Sequence, residues 1–244
     1  MEEAAAYGLT GVRSHSGLTG GSALKLQNAA AQPGFNKLLG ALATDAVTYA
    51  LAVSECNAAM GRIVAAPTAG AAGVLPGVLL ALKKHCNLTE EQLARALVVA
   101  GQIGLVIAAR ASLAGAVGGC QAECGSAAAM AAGAAVDALG GTPAKAGTAV
   151  SIVFKNMLGL VCDPVAGLVE VPCIKRNGGA AVQALLAAEM ALAGIGSFIP
   201  ADEAIDAMKW VGDSMPCALR ETAGGGLAQT PTALAWAKAW FERE

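Results

Sequence analysis

Apolar residues recur along this chain at helical spacing, and glycine and proline interrupt them where helices would end. Asn36 to Met60 reads as one long alanine and leucine helix. Thr89-Glu90-Glu91-Gln92 has the capping-box pattern and opens a helix that runs to about Arg110. The run from Ala122 to Leu139 stops at Gly140-Gly141, after which Thr142-Pro143 offers an N-cap and a proline at the first helical position. Further helices are expected over 178–194, 202–213 and 231–242, the last with Thr230 before Pro231. Short β-like stretches such as Leu168 to Val171 exist, but no alternating series of strands does. The expectation is an all-α fold: one helical domain over 35–244, preceded by a polar, irregular segment over 1–34 that ends at Pro33-Gly34. No internal repeat is convincing, because alanine richness alone imitates one.

One run complicates that picture. Ile63 to Leu82 is uncharged, bracketed by Arg62 and Lys83, and about long enough to cross a bilayer. Mean hydropathy is +0.56, with 55% hydrophobic and 14% charged residues, so a membrane protein has to be weighed. Against it, the run holds Pro67, Pro76 and several glycines, whose unsatisfied backbone would be costly in lipid. Only 4% of residues are aromatic, which leaves little for interfacial belts. Alanine and valine supply most of the apolarity, which favours closely packed soluble helices.

Charge and cysteine usage narrow the class further. A net charge of −2 provides no basic stripe for nucleic acid. The 244 residues are enough to bury a full core. Seven cysteines are too few and too irregular for a disulfide framework, and the opening Met1-Glu2-Glu3-Ala4 is unlike a secretion signal. A reducing cytoplasm is expected.

Three of the thiols sit in unusual settings: Gly118-Gly119-Cys120, Cys162-Asp163-Pro164 and Pro172-Cys173. The prolines place Cys162 and Cys173 on rigid non-helical backbone with free amides, and the glycines let backbone approach a bulky inorganic group beside Cys120. Three thiolates leave one iron of a cubane cluster free for substrate, whereas four would close it for electron transfer. Zinc is the other metal this spacing allows, although no histidine stands nearby to complete a usual site. Cys56, Cys86 and Cys217 read as buried fillers of an alanine core.

The segments around these thiols resemble the iron–sulfur L-serine dehydratases (L-serine ammonia-lyases), specifically their alpha chain or alpha domain. Lys155 to Gly167 with Val171-Pro172-Cys173-Ile174 and Arg176-Asn177 is similar to the family's most specific signature. Gly119-Cys120-Gln121-Ala122-Glu123, Met60 to Gly70, and Ser16-Gly17-Leu18-Thr19-Gly20-Gly21 are further matches. Leu219-Arg220-Glu221-Thr222 with Gly225-Gly226-Leu227-Ala228 is another. The resemblance implies a [4Fe–4S] cluster on Cys120, Cys162 and Cys173 held by the Gly/Pro-rich loops, no pyridoxal phosphate, and deamination of L-serine to pyruvate and ammonia. The free corner iron would act as Lewis acid on the substrate hydroxyl. Two departures matter. Cys124 lies one helical turn beyond Cys120 and leaves a closed four-cysteine cluster open. Some single-chain members end in a cysteine that occupies the free iron, whereas this sequence ends Trp240-Phe241-Glu242-Arg243-Glu244, so that self-inhibition is expected to be absent.

Substrate contacts are expected from donors suited to a carboxylate: Ser16, Thr19, Gly20 and Gly21, with Arg62 and Thr68 flanking another tight turn. Read without the resemblance, these are ordinary turn residues and Arg62 is a helix C-terminal residue. The base that removes the α-proton is harder to find. His15 adjoins the Ser16 segment, Lys155 qualifies if burial lowers its pKa, and His85 reads as a solvated loop. The family often divides catalysis between this part and a smaller beta part, nothing like which is present here, so a beta chain supplying the base in trans is an expected partner, alongside homo-oligomerisation.

Rival readings come from other classes. A pyridoxal phosphate lyase would use Lys25 and the Gly224-Gly225-Gly226 loop, but too few strands exist to mount such a site. A closed-cluster electron-transfer protein, a lyase acting on another β-substituted amino acid such as L-cysteine, and a purely structural helical protein are the others.

Overall fold

A helix made almost wholly of alanine, glycine and serine has no polar face to turn outward, so it has to be surrounded. In the computed structural model, which describes residues 1–242, that helix is α7 (Cys120–Ala138), buried on every side except at Glu123 and Asp137. In chain order the helices are α1 (Glu2–Gly8), α2 (Ser22–Ala31), α3 (Gly40–Ala58), α4 (Val74–Cys86), α5 (Glu90–Arg110) and the single turn α6 (Gly115–Gly118). After α7 come α8 (Pro143–Met157), α9 (Cys173–Leu192), α10 (Ala201–Ser214) and α11 (Pro231–Phe241). Helices α4, α5, α8 and α9 enclose α7, while α3 packs across α4 and α9 on the outside. Small side chains let these axes approach closely, and larger ones such as Phe154, Ile107, Val78 and Met208 fill the remaining space.

The all-α expectation holds, since the described residues contain isolated bridges but no strand. The capping box also forms as read: Thr89 Oγ1 accepts from the Gln92 N–H, and Gln92 Oε1 accepts from the Thr89 N–H. Thr142 caps α8 in the same way through the Lys145 N–H, with Pro143 at the first helical position. The Leu168–Val171 stretch is a turn after the 3-10 segment Val165–Gly167.

Three departures are informative. Residues 1–34 are not irregular: α1 and α2 both lie against α3. Helix α1 is short and turns Glu2 and Glu3 outward, so its buried face is only Ala4, Ala5 and Gly8. A Cβ on Gly8 would sit 1.9 Å from the Ala52 carbonyl oxygen, which shows how closely the two backbones meet. The Ile63–Leu82 run is half loop and half helix, because Pro76 falls in the first turn of α4, where its missing N–H has no intrahelical partner to lose. Its side chains Leu75, Val78, Leu79 and Leu82 are buried in protein. Among the described residues one helix, α5, is long and apolar enough to cross a membrane, and 28% of its most apolar window is buried.

The third departure reaches the chemistry. Helix α9 begins at Cys173 rather than 178, while Cys120, which the sequence places before or at the start of the Ala122–Leu139 run, is the first residue of α7. A proline restricts the residue before it, not the one after, so Pro172 precedes a helix start instead of preventing one. Cys173 therefore lies on helical backbone. The described chain stops short of Arg243 and Glu244, the end of the segment read as lacking a terminal cysteine.

Candidate active site

Four thiols, three carboxylates and one guanidinium gather where α7 and α9 begin. Gly119, at φ +77°, turns the chain into α7 so that Cys120 is its first residue. Gln121 is fully buried and fixes this helix end: its Nε2 donates to the Met208 carbonyl at 3.0 Å, and its Oε1 accepts from the Gly159 N–H at 2.9 Å. The Gln121 N–H also donates to the Leu160 carbonyl, which ties α7 to the segment leading into Cys162. Cys162 is in extended backbone beside the C-terminal loop. Its N–H donates to the Leu219 carbonyl at 2.8 Å and its carbonyl accepts from the Glu221 N–H at 2.7 Å.

Asn177 does for α9 what Gln121 does for α7. Fully buried, it donates to the Gly70 and Cys173 carbonyls at 2.7 and 2.9 Å and accepts from the Gly73 N–H at 3.0 Å. The beginning of α9 is thereby locked to the Pro67–Gly73 loop. Arg176, one turn into the same helix, donates to the Val161 carbonyl at 2.8 Å and pairs with Asp163 at 2.8 Å. Asp163 Oδ1 takes that ion pair, while Oδ2 accepts from the Leu227 N–H at 2.7 Å. Each anchor is a buried polar group whose loss would leave its partners unpaired.

Cys120, Cys162 and Cys173 are all buried, within 2–7% exposure. They are near enough to feel one another's charge. Burial, then the Cys120 charge, pushes the Cys162 thiol up, and the same two causes push Cys173 up to about 12. Cys120 moves the other way. A hydrogen bond from the Cys124 thiol lowers it, burial opposes, and the Arg176 charge lowers it again. The same shared bond and complete burial push Cys124 well up. Glu123 lies beside them: its carboxyl is raised by burial and by the Glu221 charge, and is opposed by the Thr68 hydroxyl, which donates to it at 2.6 Å. Gly115 marks where these groups converge, since a Cβ there would be 2.9 Å from Cys162 Sγ and 3.3 Å from both Glu123 and Glu221. Among the described residues no three His, Cys, Asp or Glu side chains close on one point as a single ion requires.

The other residues read from the sequence are arranged differently. Ser16 and Thr19 do present hydroxyls to a carboxylate, but it is the chain's own Glu170, accepting at 2.7 and 2.8 Å. Gly21 has its N–H on the Val12 carbonyl, and a Cβ on Gly20 would strike the same oxygen at 2.5 Å, so both glycines serve a tight turn. The next two amides, of Ser22 and Ala23, donate to the buried Glu55. Arg62 is exposed and pairs with Glu3, away from the thiols. His15 is exposed in the turn closed by the Gly17 N–H on the Ser14 carbonyl, while its neighbours Ser14 and Ser16 are buried; its ring meets the edge of Trp240 at 6.5 Å. Lys155 is exposed on α8 and donates to Ser197. His85 is not in a loop: it ends α4 and bonds Asp45 at 2.6 Å. Cys56 is a core filler as expected, but Cys86 and Cys217 are exposed.

Of the expected substrate contacts, Thr68 bonds the Glu123 that faces Cys162 across Gly115, while both candidate bases, His15 and Lys155, are exposed. Glu123, Glu170 and Glu221 were not singled out from the sequence. Glu123 and Glu221 stand in apolar or glycine-rich stretches, where an isolated carboxylate is the available signal.

Comparison with known proteins agrees with the motif reading. The profile of the family "Serine dehydratase alpha chain" matches residues 1–228. The chain is 60% identical over 232 residues to a protein of Bacillus subtilis named "Probable L-serine dehydratase, alpha chain", covering 95% of this chain and 77% of that one. It is 49% identical over 195 residues to the "L-serine dehydratase, alpha chain" of Peptoniphilus asaccharolyticus, covering 80% and 67%. To the "L-serine dehydratase" of Streptomyces coelicolor it is 49% identical over 191 residues, which is 77% of this chain but 42% of the relative.

Proposed function

We propose that this chain, which belongs to the serine dehydratase alpha-chain family, is the cluster-bearing chain of an L-serine ammonia-lyase. The observation that carries the proposal is that Cys120, Cys162 and Cys173, from three separate elements, are buried near enough to feel one another's charge, with Cys162 beside Gly115 and the Glu123 and Glu221 carboxylates. The donor set fits a [4Fe–4S] cluster in its chemistry. Cys162 and Cys173, raised by burial and by the Cys120 charge, with two carboxylates and one arginine nearby, suit a cationic group held by several thiolates. Bound there by three thiolates, the cluster would supply a Lewis-acidic iron for a poor leaving group, the substrate hydroxyl.

The chain's own residues do the rest. Cys124, buried one helical turn from Cys120, is assigned as a neighbour of the cluster rather than its fourth ligand. Arg176 offsets the thiolate charge at Cys120 and positions the Cys162 segment through Val161. Glu123 and Glu221 form an acidic wall suited to the substrate ammonium, with Thr68 fixing the Glu123 rotamer. The turn of Ser16, Thr19, Gly20 and Gly21 acts one step back: by holding Glu170 it fixes the strap that leads into Cys173. With His15 and Lys155 directed elsewhere, the group that takes the α-proton comes from a beta chain. The cytoplasm is the compartment in which such a cluster would persist.

The test is pyruvate formation from L-serine by anaerobically reconstituted protein, with and without the beta chain. Alone, the chain should show the broad visible absorbance of an iron–sulfur protein and deaminate poorly; the partner should raise kcat by about 10²–10⁴, the usual worth of a general base. Full turnover without the partner, or a sharp aldimine band in place of the broad one, would overturn the proposal.

A further inference from the structure

One bend of the chain presents opposite charges side by side next to Cys162. The Cys162 N–H donates to the Leu219 carbonyl and its carbonyl accepts from the Glu221 N–H, which bridges Arg220 to that thiol residue. Glu221 follows at φ +63°, a left-handed conformation that glycine or asparagine adopts at less cost. From this bend both side chains reach the single turn α6. Glu221 Oε2 is at Gly115, where an added Cβ would be 3.3 Å from it, and Arg220 Nη1 is 3.5 Å from the Val117 carbonyl. A cation and an anion thus stand over the same turn of helix, beside Cys162.

Arg220 is the unsatisfied member. Arg62, Arg95, Arg110 and Arg176 each pair with a carboxylate of the chain. Among the described residues Arg13 and Arg220 do not, and Arg13 is exposed whereas Arg220 is half-buried. The bond of Arg220 to Val117 is at the outer limit of such a contact and leaves most of its five donors free.

The substrate side has the matching gap. L-serine is a zwitterion. Glu123 and Glu221 suit its ammonium, but the side chains expected to take its carboxylate are spent: Ser16 and Thr19 on Glu170, Arg62 on Glu3. Arg176 is held by Asp163 and by the Val161 carbonyl. A guanidinium matches a carboxylate through two parallel N–H bonds, which fixes orientation as well as charge.

We infer that Arg220 binds the substrate carboxylate while its neighbour Glu221 faces the ammonium, so that this bend reads the zwitterion of a free α-amino acid. The inference rests on the proposed deamination of L-serine and names the group that recognises one end of that substrate.

The test uses anaerobically reconstituted protein with the beta chain. Two competitors of L-serine each keep its hydroxyl and one of its charges: 3-hydroxypropionate has the carboxylate and no ammonium, ethanolamine the ammonium and no carboxylate. Arg220→Ala should raise KM for L-serine by about 10–10²-fold, the worth of hydrogen bonds to a charged group, with a smaller fall in kcat. Iron per chain and helical content should be unchanged. Inhibition by 3-hydroxypropionate should weaken by a similar factor, and inhibition by ethanolamine should be almost unaffected. Glu221→Gln should do the reverse, and Arg220→Lys, which keeps the charge without the fork, should fall between parent and Arg220→Ala. An unchanged KM in Arg220→Ala would overturn the inference. So would equal weakening of both competitors, because Arg220 would then act through the fold, or a loss of iron, which would make it a support of the thiol end. A parent that does not deaminate L-serine would sink the proposed activity and this inference together; an active parent whose KM survives Arg220→Ala sinks this inference alone.

Discussion

Two parts of this molecule offer hydrogen-bond donors and thiols of the kind that bind small anions and metals, and they are in opposite states. In the Ser14–Ala23 turn the donors are already used. Ser16 and Thr19 hold Glu170, and the amides of Ser22 and Ala23 hold Glu55. Where α7 and α9 begin, three buried thiols instead stand near two carboxylates, with Arg176 beside them, and burial and one another's charge disfavour the ionised form of Cys162 and Cys173. The first arrangement satisfies itself and stabilises the fold. The second is one that a bound cation would favour, by drawing the thiols into their ionised form. Residue types alone do not tell these two apart; their partners do.

If that contrast is right, the largest effect belongs to the thiol end. Stripping the reconstituted protein with a chelator under oxidising conditions should reduce serine deamination to background, and ferrous iron, sulfide and thiol should restore it. Activity that survives metal removal would erase the difference between the two regions. At the turn, Glu170→Ala should lower stability by about 2–3 kcal/mol, since two hydroxyls lose a charged acceptor in a buried setting. The thermal midpoint should fall while iron binding per folded chain is kept. A loss of iron with no loss of stability would move Glu170 from the strap into the site.

Smaller changes sharpen the comparison. Thr68→Val removes one hydrogen bond to Glu123 and should cost about 1 kcal/mol of stability, with the greater change in KM for serine because the acidic wall loses its fixed rotamer. An unchanged KM would argue that Glu123 does not meet substrate. Least of all, Lys155→Ala and His15→Ala should leave kcat within about twofold of the parent in the presence of the beta chain, as neither side chain touches the thiol end. A large loss with His15→Ala would place the base in this chain.

Much of the architecture is legible in the sequence for a physical reason. Capping signals are local, so Thr89 with Gln92 and Thr142 with Pro143 mark helix starts without any knowledge of the fold. The hidden starts are those fixed from a distance. Nothing near Cys173 announces that Asn177 will bridge to Gly70 and Gly73, or that α9 therefore begins at that thiol. Helix α1 escapes notice because its burial depends on Ala52 meeting Gly8, a contact 44 positions apart by their numbers. At the site, the three thiols stand out by their glycine and proline neighbours. The glutamates beside them do not, since a carboxylate's role depends on what surrounds it in space, as the contrast between Glu123 and Glu170 shows. Ser16 and Thr19 were read as waiting for a ligand because their covalent chemistry suits one; the chain itself supplies it.

The central claim, that the ends of α7 and α9 with the Cys162 segment form one three-thiolate cluster site, is tested most directly by iron and sulfide content. The measurement is made on anaerobically reconstituted parent and on Cys120→Ala, Cys162→Ala, Cys173→Ala and Cys124→Ala, each checked for unchanged helical content. The parent and Cys124→Ala should each hold about four irons and four sulfides, and the other three variants close to none. Equal loss in Cys124→Ala, or a full complement in any of the other three, would contradict it.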